Sequence, residues 1–285
     1  MYFCISLCKN QMDKELPLQL DIERIIKTKS PKLGKRLPGF VYRFIEKTIC
    51  QKRMNAILRT YHGGGGVDFA NFLLKELNVT VNVVGLENIP DEGRFTFASN
   101  HPLGGFDGIS LVSILGSRYD SKLKVLVNDL LMNITHLASV FLPVNSYGKQ
   151  AKDLAGEISR AYESDNQILV FPAGLCSRLQ SGGVRDLAWK KAFIAKTVQY
   201  RRDVIPVYFD GLNSKFFYRF ARIRKMLGIK FNLELIYLPS EMFKCENRTF
   251  TVYIGKPVSW QTFDRSKSQS QWAEEMKERV YSLKK

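Results

Sequence analysis

A chain of 285 residues with 43 Lys and Arg against 27 Asp and Glu carries a formal net charge of +16, and 45% of it is hydrophobic. That length and apolar content exclude a disordered chain, while the charge favours anionic partners: nucleic acid, acidic lipid or an acidic carrier protein. The five cysteines (Cys4, Cys8, Cys50, Cys176, Cys245) are scattered and form no CxxC pair, which argues against a disulfide framework or a zinc site and for a reducing compartment.

The opening "MYFCISLC" is short and lacks a basic start, so no signal peptide is expected. No apolar run approaches the roughly 20 residues of a membrane-spanning helix, so a soluble or peripheral protein is expected. Residues 1 to 30 have mixed polarity and suggest a helical or loose lead-in. From 31 to 60 there are eight Lys or Arg and one acid, Glu46. Phe40, Val41, Phe44, Ile45, Ile49, Met54, Ile57 and Leu58 recur there at helical spacing. "GGGG" at 63 to 66 breaks the helix, and "VDFANFLLKEL" predicts the next.

Beyond residue 79 strands and helices alternate. "VTVNVVG" and "RFTFASN" predict strands joined by a "PDEG" turn, "DGISLVSILG" a helix, and "KLKVLV" and "ASVFLPV" strands. "KQAKDLAGEISRAYES" predicts a helix, "QILVFPAG" a strand, "RDLAWKKAFIAKTVQY" a helix, and "DVIPVYFDG", "LELIYL" and "FTVYIG" further strands. This order implies an α/β fold, a mostly parallel central sheet flanked by helices. The expected domains are a basic helical N-terminal region over 1–78 and an α/β domain over 79–285.

"SNHPLGGFDG", residues 99 to 108, joins the second strand to the first helix of that domain and holds one of three histidines. In α/β sheets ligands bind outside the carboxyl ends of the strands. Asp107 falls where a helix N-cap belongs, so its charge suits the first-turn amides. Gly104 and Gly105 allow the loop to fold back until Asp107 meets His101. An ionised Asp fixes the imidazole tautomer and makes His101 a candidate general base. An ordinary loop histidine beside an ordinary cap fits the stretch equally well.

Two further strand ends carry polar turns, "LVFPAGLCSR" (169 to 178) and "VIPVYFDG" (204 to 211). An Asn-His-Pro opening with a following Asp, then a "FP-x-G-x-x-S-R" box, then "IPV", resembles the glycerophospholipid acyltransferase family over roughly residues 80 to 215. The resemblance implies transfer of a fatty acyl group from an acyl carrier protein or coenzyme A thioester to a hydroxyl, with no bound cofactor and no metal. It makes His101 the base and Asp107 its orienter. It assigns substrate binding to Asn100, Gly104 and Gly105, to Asn145 and Lys149 of the middle box, and to Phe171, Pro172, Gly174, Ser177 and Arg178.

The departures from that pattern are informative. "PLGGF" puts one residue more than usual between His101 and Asp107. Ala173, Leu175 and Cys176 replace the Glu, Thr and Arg of the family's "FPEGTRS" box, and Asn145 stands for the middle-box arginine, with Lys149 nearby. Bidentate phosphate recognition needs Arg, so a lysophosphatidic acid acceptor is disfavoured. "NHPLGG-x-DG" and "FPAGL-x-SR" look more like the bacterial hemolysin-like branch that O-acylates lyso-ornithine or lyso-glycine lipid. That branch implies direct attack by the acceptor hydroxyl on the thioester.

The remaining signals are weaker. Cys176 has nothing nearby in sequence to lower its pKa, and is expected to be a plain turn cysteine. His136 lies in an apolar stretch and suits a core or interface, His62 shows no partner, and "GGGG" lacks the ending of a phosphate loop. "SKFFYRFARIRKMLGIK" (214 to 230) has six Lys or Arg, four aromatics and no acid. With residues 31 to 60 it suggests a surface for anionic membrane, at up to about 1 kcal/mol per basic residue, or for an acyl carrier protein. A merely solvated basic face is the alternative. The whole implies an O-acyltransferase acting on a lyso-aminolipid, peripheral to the cytoplasmic face of the inner membrane. A lysophosphatidic acid acyltransferase and a silent lipid-binding relative are the other readings. No nucleic-acid motif is present, so no nucleic-acid partner is expected.

Overall fold

The computed structural model describes residues 20–128, 132, 134–144 and 149–284. It divides into two compact units, Met1–His62 and Gly63–Lys285, and the division falls at the start of the glycine run.

The first unit is helical: α1 (Ile22–Lys29), α2 (Pro31–Arg36), α3 (Gly39–Thr48) and α4 (Gln51–Thr60). The Asp21 side chain caps α1 by accepting from the Arg24 amide. Cys50, at φ 54, takes the left-handed conformation between α3 and α4, so the apolar period of the sequence is carried by two short helices. Asn55 of α4 exchanges two hydrogen bonds with the Leu20 backbone, and the Tyr42 hydroxyl donates to the Gly34 carbonyl at 2.8 Å. Phe40 and Phe44 stay exposed on α3.

The second unit begins with α5 (Val67–Glu76). Gly66 precedes it at φ 69, and a Cβ there would lie 2.7 Å from Ser139 Oγ, so the residue must be glycine. The sequence pattern groups α5 with the N-terminal helices. It packs instead on α6 (Phe106–Arg118), where Gly116 leaves room for Val67.

The sheet comprises β1 (Thr80–Val84), β2 (Phe95–Ser99), β3 (Leu123–Val127), β4 (Phe141–Pro143), β5 (Gln167–Val170), β8 (Asp203–Asp210) and β9 (Thr249–Ile254), in the order β1-β9-β8-β2-β5-β3-β4. All neighbours are parallel except β8 and β9. The mostly parallel α/β architecture predicted from the alternating elements is therefore the one observed. Every residue of β2 and β5 is buried, as expected for strands covered on both faces. A small hairpin, β6 (Arg178–Gln180) with β7 (Gly183–Arg185), lies outside the sheet. Helices α7 (Lys149–Glu163), α8 (Ala192–Tyr200), α9 (Lys215–Met226), α10 (Leu238–Phe243) and α11 (Gln269–Tyr281) complete the unit.

Four expectations change in detail. The "PDEG" turn joins β1 and β2 without pairing them, since β9 and β8 lie between. "LELIYL" is not a strand: Leu233–Tyr237 is a 3₁₀ turn and leads into α10, because Glu234 turns inward to two arginines and Pro239 suits a first helical turn. The helix expected from residue 185 starts at Ala192, because Arg185 belongs to the hairpin and Trp189 Nε1 donates to the Asp186 carboxylate. Helix α11, opened by a Ser268/Gln271 capping box, had no counterpart in the predicted elements.

Arg202 holds the start of β8. It is fully buried and donates to the Tyr162 and Asn166 carbonyls at 2.8 Å and to the Ser164 carbonyl at 2.5 Å. Burial lowers its pKa to about 10. Replacing it strands several buried carbonyls, each costing about 1–3 kcal/mol. Arg202→Met is expected to destabilise the protein by more than about 3 kcal/mol in urea denaturation.

Candidate active site

Strands β2, β5 and β8 run parallel and end on one edge, and their following loops meet there. Asn100 extends the β2–β8 pairing through its side chain, which donates to the Phe209 carbonyl at 3.0 Å and accepts the Phe209 amide at 2.7 Å. His101 follows. Its carbonyl accepts the Ser177 amide at 2.8 Å from the loop after β5, and the Pro102 carbonyl accepts Asn213 Nδ2 at 3.1 Å from the loop after β8. The loop holding His101 is thereby tied to both neighbouring strand ends.

The five residues between His101 and Asp107 bring the two side chains together. His101 Nδ1 lies 3.1 Å from Asp107 Oδ2. Gly104 turns the loop at φ 74, and a Cβ there would stand 2.9 Å from both Cys176 Cβ and Leu238. A Cβ at Gly105 would meet nothing. Gly105 is the N-cap of α6, and Asp107 lies in the first helical turn rather than at the cap. From there its carboxylate also accepts the Leu103 amide at 3.0 Å and the Gly108 amide at 2.9 Å.

The electrostatics favour a charged pair. Burial raises the Asp107 pKa, but the His101 charge and hydrogen bond and the two amides more than reverse this, leaving it below the usual carboxylate value. Burial likewise lowers the His101 pKa, yet the charge and hydrogen bond of Asp107, with help from Asp186, carry it above the ordinary 6.5. Asp107 is wholly buried, whereas the His101 side chain retains 17% exposure. Phe171 stacks on the imidazole with ring centroids 4.2 Å apart. With Nδ1 donating to Asp107, Nε2 carries the lone pair and is the nitrogen left to meet a substrate.

Asp186 is a residue the sequence motifs miss that ties the site loops together. Fully buried, it accepts the Ser177 hydroxyl at 2.6 Å, the His101 amide at 3.2 Å and Trp189 Nε1 at 2.9 Å. Its own amide donates to the Tyr281 hydroxyl at 2.7 Å. Burial pushes its carboxyl pKa up, against these hydrogen bonds. One carboxylate therefore sets the His101 main chain, the "FPAGLCSR" turn and the C-terminal helix. An aspartate among polar residues of a turn carries no pattern that announces such a task.

The other named positions divide by what they face. Phe171 lines the imidazole, and the buried Pro172 accepts the Lys190 amide at 3.0 Å. Gly174, at φ 68, keeps the turn clear of Lys190. Ser177 points at Asp186 and Asn100 at Phe209, so both shape the loop from within. Arg178 turns away: it donates to the Cys176 carbonyl at 2.7 Å and to Glu234 at 2.9 Å, and Glu234 also pairs with Arg224 at 2.7 Å. Lys149 opens α7, and Asn145 lies outside the described residues. Cys176 is buried, and burial pushes its thiol up to about 11. His136 stacks on Phe69 in the core. No group of three or more His, Cys, Asp or Glu among the described residues has the arrangement of a metal site.

A mostly parallel sheet carries this His–Asp pair at the carboxyl edge of its central strands, and comparison with known proteins gives the arrangement a family. The chain matches the Acyltransferase family over residues 24–285 and belongs to it. A lyso-glycine lipid O-acyltransferase of Bacteroides thetaiotaomicron is 51% identical over 264 residues, covering 93% of this chain and 97% of that protein. One of the same name from Phocaeicola vulgatus is 46% identical over 278 residues, covering 98% and 99%. Among solved structures, the 1-acyl-sn-glycerophosphate acyltransferase PlsC of Thermotoga maritima aligns at TM-score 0.47 and 18% identity, over 76% of this chain and 82% of that one.

The two glycines of the loop are expected to differ. Gly104→Ala forces a side chain into a left-handed turn against Cys176 and Leu238, an overpacking that costs about 1–3 kcal/mol and displaces Asp107. Gly105→Ala meets open space and retains most activity. Acyl-transfer rates and denaturation midpoints of the two variants check this, and equal losses would contradict it.

Proposed function

We propose that this protein is an O-acyltransferase moving a fatty acyl group from a thioester to the hydroxyl of a lyso-aminolipid of the glycine-lipid type. The observation that supports this is the His101–Asp107 pair, which engages Nδ1 at 3.1 Å while the His101 side chain stays partly exposed. The near full-length relatives named as lyso-glycine lipid O-acyltransferases supply the acceptor class.

In this mechanism the acceptor hydroxyl gives its proton to His101 Nε2 while its oxygen attacks the thioester carbonyl. The C–O bond forms, the tetrahedral intermediate collapses, the C–S bond breaks, and the departing thiolate takes the proton from the imidazolium. Asp107 stabilises that imidazolium and holds the ring in place. The acyl group passes directly to the acceptor, and neither neighbouring nucleophile stands ready to take it: the Cys176 thiol is buried and the Ser177 hydroxyl is bonded to Asp186. The acyl donor is a carrier-protein or coenzyme A thioester.

Charge supports this acceptor. Arg178 is committed to Glu234, so the "FPAGLCSR" turn offers no guanidinium to a phosphate. That favours the aminolipid over lysophosphatidic acid. The acceptor resides in a bilayer, and the basic helices of the N-terminal region suit the anionic cytoplasmic face of the inner membrane. Among the described residues no helix is long and apolar enough to cross it.

The test is acyl transfer by the purified protein from labelled acyl carrier protein and from acyl-coenzyme A to lyso-glycine lipid, lyso-ornithine lipid and lysophosphatidic acid in parallel. Transfer to an aminolipid is expected, with a loss of about 10²–10⁴-fold in His101→Ala. Transfer to lysophosphatidic acid alone would overturn the acceptor assignment. The pH profile has a definite sign: the base works when neutral, so kcat/KM falls as pH drops through the His101 pKa. That acid limb is expected above pH 6.5, and in Asp107→Asn it moves to lower pH because burial remains and the opposing charge is gone.

A further inference from the structure

Between Asp210 and Glu234 the chain has six Lys or Arg and no acid. Helix α9 buries Phe217, Tyr218 and Ala221 and turns Phe216 and Ile223 outward. It ends at Met226, Gly228 follows at φ 69, and the chain continues through Ile229 and Phe231. Met226 is 77% exposed, Leu227 69% and Phe231 80%. Large apolar side chains that stand together in water mark an interaction surface. Arg219, Arg222, Lys225 and Lys230 are exposed on the same segment.

This segment is held in shape. Arg224 donates to the Ile229 carbonyl at 2.5 Å and to Asn232 Oδ1 at 3.0 Å, and pairs with the buried Glu234. The rings of Phe216, Phe220 and Tyr237 pack at 5.0–5.9 Å. It is also joined to the site. Glu234 pairs with Arg178, Phe217 packs with Cys176, Leu238 lies against Gly104, and Asn213, just ahead of α9, holds the Pro102 carbonyl.

We propose that the end of α9 and the turn after it, Met226 to Phe231, form a wedge that inserts into an anionic bilayer and presents the His101 loop to lipid still seated in the membrane. The occupant follows from the two chemistries present: apolar tips that an acidic, polar carrier protein would leave unburied, beside cations that match anionic headgroups. The inference rests on the lipid acyl-transfer reading only for the source of the acceptor.

The experiment is co-sedimentation of the full chain with phosphatidylglycerol/phosphatidylethanolamine vesicles and with phosphatidylcholine vesicles, comparing wild type with a Leu227→Ser, Phe231→Ser double variant. Both side chains are exposed, so the fold is retained, as circular dichroism will report. The expected result is preference for the anionic vesicles and a loss of at least about tenfold in partitioning for the variant. Acyl transfer to lyso-glycine lipid dispersed in detergent should stay within about twofold of wild type, a tolerance set well inside the tenfold step. Unchanged partitioning overturns the wedge, as does unchanged partitioning with a raised KM for acyl carrier protein, which would make this a carrier-docking face. Absence of transfer by the wild type in detergent would instead remove the acyl-transfer reading while leaving the vesicle result to stand.

Discussion

The bond between Asp107 and His101 Nδ1 is the constraint around which the loops at the strand ends are arranged. A carboxylate wholly removed from water is costly unless its lone pairs are satisfied. Here the Leu103 and Gly108 amides and the first turn of α6 supply that compensation before His101 adds its own. A carboxylate so fixed cannot follow the imidazole, so the imidazole must come to it. The left-handed turn at Gly104 and the tie from Ser177 to the His101 carbonyl allow this. The residue inserted into the loop relative to the family's usual spacing is thus accommodated without separating the pair.

The second carboxylate acts through the backbone. Asp186 grips the His101 amide, the Ser177 hydroxyl and the Trp189 indole at once, so loops from β2 and β5 and the chain entering α8 share one anchor. The division of labour is physical. Asp107 sets the charge and tautomer of the imidazole, and Asp186 sets where its main chain lies. Arg178, bound to Glu234, which also pairs with Arg224, extends this scaffold to α9.

The sheet and the His–Asp contact were legible because their signals are local. Apolar runs such as "FTFAS" and "QILV" predict buried strands, and a His and an Asp at the junction of a strand and a helix already suggest a pair. Long-range pairing was not legible. Nothing in "LELIYL" shows that Glu234 will turn inward to Arg178 and Arg224, and nothing in "VRDLAW" shows that Asp186 reaches back to His101. The place of β9 between β1 and β8 depends on long-range strand pairing, which hydrophobic period does not encode. The charge of residues 214 to 230 was evident, whereas the exposure of Met226, Leu227 and Phe231 emerged only from the folded structure.

The central claim is that Asp107 holds His101 as a base with its lone pair on Nε2. The most direct measurement is an NMR titration of the imidazole nitrogens in the wild-type protein, assigned by difference from His101→Ala. A neutral form protonated on Nδ1 and a pKa above 6.5 are expected. A neutral form protonated on Nε2, or a pKa at or below 6.5, would contradict it.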